Sequence, residues 1–257
     1  KVLVCGDSHQ LPPIGGNPAF LVSSKTHHLT QLMRQSLDNP IVYIANRAMR
    51  GEPIHNGAYG NDVLVINDTD FLPQMIGFAD CVLCGTNKTR ETMNNYIREL
   101  SGFKGSIPGF GERLICRKNN WDFSIDGISL ANGLSGTIVS IPDPTKFDGK
   151  IFKIDFKPDL SNNVFCNIPV NYKYFTSSYQ EKASIKEGYD KWNIGEYFDF
   201  SYALTTHLAQ GAEYNNCIFI EEYLYPQIMN QMIYTGITRA KRKLIYIKKT
   251  NKYFSVN

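Results

Sequence analysis

The sequence lacks several things, and each absence narrows what it can be. No Gly-x-x-x-x-Gly-Lys-Ser/Thr occurs in its 257 residues, so these residues do not supply the loop that cradles nucleotide phosphates. No run approaches the ~18 consecutive apolar residues of a membrane span, and KVLVCGDSHQ lacks the basic-then-apolar order of a signal peptide. A membrane partner is therefore not expected. Internal repeats and low-complexity tracts are missing too. Neither sign of charge dominates: a net charge of +3 names no polyanionic partner by itself. Positive charge does crowd one end, at Arg239, Lys241, Arg242, Lys243, Lys248, Lys249 and Lys252. That crowding reads either as a solvated face or as a surface for nucleic-acid phosphates. The six cysteines are dispersed, and only Cys81-Val82-Leu83-Cys84 has a C-x-x-C spacing. A zinc site usually needs four ligands, so these two read as strand residues, reduced as in a cytoplasmic protein.

An apolar content of 42% can fill a core of ordinary size. Leu37-Asp38-Asn39-Pro40 opens a helix: Asp38 or Asn39 can cap, Pro40 suits the first turn, and Ile41, Ile44, Ala45 and Ala48 recur at helical spacing until Gly51. Residues 62–66 and 80–86 read as strands. The second runs into a helix over 88–100, with Thr86 or Asn87 as cap, a unit of α/β architecture. From Gly111 onward, short strands rich in β-branched and aromatic residues alternate with turn signals such as Asn132-Gly133 and Ser135-Gly136. They predict a small β-barrel of about 60 residues. Residues 176–197 are polar and read as a loop or a loop with a short helix. After Ser201 the α/β pattern returns, with strands at 217–220 and 244–247 around a helix over 226–239. The β segment is therefore an insertion in an α/β domain.

Four stretches carry chemistry-bearing residues: Gly6-Asp7-Ser8-His9-Gln10-Leu11-Pro12-Pro13-Ile14, Gln31-Leu32-Met33-Arg34-Gln35, Thr205-Thr206-His207-Leu208-Ala209-Gln210-Gly211-Ala212-Glu213, and Tyr234-Thr235-Gly236-Ile237-Thr238-Arg239-Ala240. Taken singly, each has a plain structural reading: an exposed turn, a polar helix face, or a cation at a helix C-terminus. In this order they resemble the third, fifth and sixth motifs of superfamily 1 helicases, with Arg34 at a further arginine position of the family. The RecD-like and Dda-like branch is the most similar, and the likeness covers nearly the whole chain. Gly111-x-Arg113-Leu114, Asn132-Gly133 and Gly136-Thr137 resemble the opening of the SH3-like barrel that these helicases insert.

The resemblance implies an α/β fold: a RecA-like (P-loop NTPase-type) second motor domain over 26–110 and 200–257. It further implies an SH3-like barrel and linker over 111–199, and a remnant of the first motor domain over 1–25. It implies ATP and Mg²⁺ as cofactors, single-stranded and fork DNA as partners, and 5′-to-3′ movement. Nuclease or repair-complex subunits are further partners of such motors. Guanidinium groups suit the charge that develops during phosphoryl transfer, so Arg34 and Arg239 are the expected γ-phosphate contact and arginine finger. Gln10 is the expected γ-phosphate sensor, and Gly6, Asp7, Gln210, Gly211 and Glu213 line the nucleotide side. Thr205 and His207 are expected on strand phosphates, and Thr86 and Asn87 offer a helix N-terminus to another phosphate; plain capping is the alternative there.

The missing phosphate loop and paired acidic stretch precede Gly6 in the family. The chain accordingly resembles the C-terminal part of a helicase, needing its N-terminal motor domain and inactive as an ATPase without it. Residues 1–16 are expected to be poorly held, their sheet partners being absent. Leu208 departs from the Lys or Arg common in the family. The stretch from Tyr172 to Phe198 is unusually aromatic: Tyr172, Tyr174, Phe175, Tyr179 and Tyr189 either stack on bases or pack barrel against motor. A non-catalytic nucleic-acid-binding or adaptor module remains the alternative function, and an RNA-directed viral helicase a third.

Overall fold

The computed structural model describes residues 6–13, 27, 39–142, 149–159, 161–187, 195–223 and 226–249. The chain divides into two compact units, Lys1–Thr89 with Leu204–Asn257, and Arg90–Ala203.

The first unit is α/β. Helix α1 (Pro40–Met49) starts where Asn39 Oδ1 accepts the Ile41 amide at 2.8 Å, and it buries Ile41, Ile44, Ala45 and Ala48. Strand β1 (Gly57–Tyr59) forms a hairpin with β2 (Val63–Asn67). Strand β3 (Cys81–Cys84) is buried along its whole length and leads into α2 (Asn87–Leu100). Later come β11 (Ala203–Thr205), β12 (Tyr214–Ile220), α5 (Met229–Ile237) and β13 (Ala240–Lys248). The sheet order is β1-β2-β13-β12-β3-β11, and the pairs β2–β13, β13–β12 and β12–β3 are parallel. Unbroken apolar runs such as Cys217–Ile220 and Cys81–Cys84 are what a parallel sheet covered on both faces demands. Cys81 and Cys84 are strand residues, as the sequence implied.

The second unit holds an antiparallel sheet. Its strands are β4 (Arg113–Cys116), β7 (Ser135–Ser140), β8 (Ile151–Pro158), β9 (Phe165–Asn171) and β10 (Phe198–Phe200), ordered β10-β4-β7-β8-β9. Alternate residues of β8, Phe152, Ile154 and Phe156, enter an apolar core with Leu114, Ile138, Ile168 and Phe198. A separate hairpin, β5 (Asn120–Ile125) with β6 (Ile128–Leu130), turns at Asp126-Gly127, whose φ angles are 51° and 76°. Two short helices follow, α3 (Tyr172–Thr176) and α4 (Tyr179–Glu187), the second being the short helix read within 176–197.

This unit is larger than the 111–199 segment read from sequence, because buried ion pairs bind most of α2 to it. The Arg98 guanidinium donates to both Glu112 oxygens, at 2.6 and 3.0 Å, and lies 3.9 Å from the Phe200 ring centroid. Asp199 accepts from Arg90 at 3.1 Å and from Lys182 at 2.6 Å, with Arg117 Nε 3.3 Å away. Burial would raise the Asp199 carboxyl, but Lys182, Arg90 and Arg117 outweigh it and hold it below the ordinary value. The aromatic residues Tyr174 and Phe175 are buried within the unit itself. Tyr174 stacks on Tyr197 at 4.2 Å and Phe175 meets Phe152 and Phe200 edge-on, so neither ring offers a face to a base. Tyr179 is exposed, and Tyr189 lies outside the described residues.

In the first unit, α5 lies so close to β12 that a Cβ on Gly236 would stand 2.4 Å from the Phe219 ring. Glycine is a steric requirement there. Gly236→Ala is expected to lower stability by about 1–3 kcal/mol through overpacking, read from the urea midpoint; an unchanged midpoint shows that α5 can withdraw from the sheet without cost.

Candidate functional site

Residues 6–13, expected to be loose, are held by the first unit. Leu11 is 5% exposed. Its amide donates to Thr235 Oγ1 at 2.9 Å, and its carbonyl accepts from Gln210 Nε2 at 2.8 Å. Both backbone groups of this buried residue are thus satisfied by side chains, one from α5 and one from the turn after β11. Ser8 O accepts from Gln231 Nε2 at 3.0 Å, and the Asp7 carboxylate accepts from Gln10 Nε2 at 3.1 Å and Tyr234 O–H at 3.3 Å. α5 and the turn after β11 supply the partners of these residues. Residues 1–5 and 14–16 lie outside the described residues.

Arg239 follows α5 and is 7% exposed. Its Nε donates to Thr235 O at 3.1 Å, Nη1 to Ala212 O at 3.0 Å and Nη2 to Thr238 Oγ1 at 3.3 Å. Carbonyl and hydroxyl oxygens satisfy the cation that burial would otherwise penalise. Thr235 therefore touches both partners: its hydroxyl holds Leu11, its carbonyl holds Arg239. The third, fifth and sixth motifs meet at Leu11, which Gln210 and Thr235 both hold. Arg34 lies outside the described residues.

The remaining residues of the fifth motif form a compact turn between β11 and β12. Thr205 is buried, with Oγ1 accepting the Leu208 amide at 3.3 Å. Gly211 takes φ +84°, a conformation that favours glycine. Glu213 pairs with Lys241 at 2.9 Å. His207 is half-buried, and that burial holds its imidazole below the ordinary histidine value, favouring the neutral form near pH 7. The Gln210 amide donates to Leu11 O. Gly6 and Asp7 sit at the exposed start of the 6–13 loop.

At the N-terminus of α2 the structure shows the plain capping that the sequence left as the alternative. Thr86 caps the helix, its Oγ1 accepting the Thr89 amide at 3.2 Å. The anion there is already present in the chain: Glu222 Oε2 accepts the Gly85 and Thr86 amides, each at 2.7 Å. Glu222 also accepts from the hydroxyls of Thr86 and Thr89, and from Lys249 Nζ at 3.0 Å. An external phosphate at Thr86 and Asn87 would have to displace this carboxylate. Glu222 was invisible in the sequence: it stands 136 residues from Thr86, and nothing local marks it. Among the described residues, no three His, Cys, Asp or Glu side chains converge as metal ligands, and no helix is long and apolar enough to cross a membrane.

Comparison with known proteins finds likenesses to helicases. Residues 200–247, which carry the fifth motif, α5 and Arg239, match the family model of the UvrD-like helicase C-terminal domain. The chain is 26% identical over 256 residues to the ATP-dependent RecD2 DNA helicase of Deinococcus radiodurans, covering 94% of this chain and 32% of that protein. The Pif1 helicase from Candida albicans shares the fold, with a TM-score of 0.56 at 15% identity over 95% of this chain and 62% of that one. A looser likeness, TM-score 0.47 at 12% identity over 88% of this chain and 52% of that one, is to a Bacteroides Pif1 helicase solved with ADP-AlF3 and ssDNA. The likeness to RecD-like superfamily 1 helicases is thus borne out, and the chain spans about a third of its RecD2 relative.

The Glu222 network generates a pH prediction. Burial alone would raise its carboxyl, but hydrogen bonds from Thr89, Lys249 and Thr86 hold it below 4.5. A depressed carboxyl contributes stability that is present above the unfolded value and lost as pH falls through the folded one. Glu222→Gln should flatten the loss of stability below about pH 4.5, while Glu222→Ala, stranding Lys249, should cost roughly 3 kcal/mol or more at pH 7. Denaturation series at pH 3–7 check both, and identical slopes in wild type and Glu222→Gln would contradict the assignment.

Proposed function

We propose that the chain is the C-terminal motor half of an ATP-dependent DNA helicase that moves on single-stranded DNA, 5′ to 3′, and opens duplex at a fork. The observation that carries this reading is the meeting of Gln210 from the fifth motif and Thr235 from the sixth on Leu11 of the third, with Arg239 bonded to Thr235. Three stretches far apart in sequence meet at one residue, which separate surface roles for them would not require. The reading extends to this chain what the RecD2 relative's name states of that protein, an ATP-dependent DNA helicase.

On this reading the nucleotide lies between this half and an N-terminal motor domain carrying the phosphate loop and the Mg²⁺ carboxylates. Arg239 and Arg34 contact the γ-phosphate from this side and Gln10 senses it, with Gly6, Asp7, Gly211 and Glu213 nearby. Arg239 reaches phosphate by exchanging its carbonyl partners for phosphate oxygens, a bidentate role suited to guanidinium. Thr205 and His207 meet the strand; a neutral imidazole still donates one N–H. The antiparallel unit is the inserted SH3-like barrel, which grips or separates strands. Mg²⁺ would supply charge neutralisation on the phosphates.

In the full-length protein, Arg239→Ala should lower ATP turnover by about 10³-fold or more while single-strand affinity stays within about threefold, since the guanidinium acts on developing charge. Normal turnover removes Arg239 from the role. His207→Ala should weaken strand-stimulated turnover more than unstimulated turnover, and equal losses would make His207 a structural residue.

A further inference from the structure

We infer that Gln210 and Thr235 are positioning residues that grip the backbone of Leu11, and that this grip sets where the Gln10 amide stands relative to Arg239. The inference rests on the motor reading above and adds to it a route by which one side of the nucleotide pocket reports to another.

Leu11 is the only apolar residue of the 6–13 loop that is buried among those described there. It has no sheet partner; Thr235 Oγ1 takes its amide and Gln210 Nε2 its carbonyl. Two short bonds on adjacent groups of one residue fix its peptide planes, and the Gln10–Leu11 peptide is one of those planes. The direction in which Gln10 leaves the backbone is therefore set by α5 and the 205–212 turn.

Arg239 is bonded to the backbone of the same two segments. Its Nε holds the carbonyl of Thr235, and its Nη1 holds the carbonyl of Ala212, two residues after Gln210. Drawing the guanidinium toward a phosphate gives up both carbonyls, and so relaxes the turn of α5 that carries the Thr235 hydroxyl and the turn that carries the Gln210 amide. The grip on Leu11 is thereby linked to whether Arg239 is on protein or on phosphate. Gly211, at φ +84°, is the hinge that lets Gln210 and Ala212 face different partners. Thr235 is fully buried, so its hydroxyl has no water to fall back on and its bond to Leu11 is costly to lose.

The test uses the full-length protein and reads ATP turnover with and without an oligo(dT) strand. Thr235→Val keeps the shape and removes the acceptor; Gln210→Leu removes the donor. Each should reduce the ratio of strand-stimulated to unstimulated turnover at least fivefold, with KM for ATP changed less than threefold. Thr235→Ser should restore the ratio. The double variant should lose no more than the worse single one, because both act on one residue. Thermal midpoints measured alongside separate this from destabilisation, which would not be rescued through the ratio. Wild-type ratios in both single variants overturn the inference and leave the motor reading standing. Absence of strand-stimulated turnover in the wild-type protein overturns the motor reading and this inference together.

Discussion

A buried guanidinium must be paired, and the pairing of Arg239 is the constraint around which the first unit is arranged. At 7% exposure the cation cannot rely on water, so it takes the carbonyls of Thr235 and Ala212 and the hydroxyl of Thr238. Those bonds tie the end of α5 to the turn before β12. They do so beside the one buried side chain of the 6–13 loop.

The parallel sheet makes this arrangement possible. β12 and β13 are adjacent and joined by α5, so the turn entering β12 and the turn entering β13 lie side by side; Tyr214 N donates to Arg239 O at 2.9 Å. Close approach of α5 at Gly236 sets its depth. On the far side of β12, β3 delivers α2, whose N-terminus is sealed by Glu222. That carboxylate is bound by the two amides that precede the helix and by Lys249. The second unit shows the same economy: Asp199 and Glu112 each neutralise buried cations that fasten α2 to the antiparallel sheet.

Much of this was legible in the sequence. The Asn39 cap, the apolar spacing of α1, the strand at Cys81–Cys84 and the switch to short strands after Gly111 all follow from local rules. The order of the motifs singled out the 6–13 loop, the 205–213 turn and α5, which the structure brings into contact. What stayed hidden was non-local or carried by backbone. Motif letters name side chains, whereas the contact that unites them is to the Leu11 peptide groups. Glu222 and Lys249 reach Thr86 only through the sheet. The β5–β6 hairpin was within reach, since Asp126-Gly127 is a strong two-residue turn signal. The short helix α3 was not, because its five residues are too few to show a helical period. The extent of the second unit depended on ion pairs such as Arg98–Glu112, which no periodicity announces.

The most direct measurement is a structure of the full-length protein with ADP, aluminium fluoride and a single strand bound. The account predicts that the Arg239 guanidinium has left the carbonyls of Thr235 and Ala212 for the fluoride, with the Gln10 amide on the same group. An Arg239 still on those two carbonyls, with Gln10 turned away from the nucleotide, would contradict it.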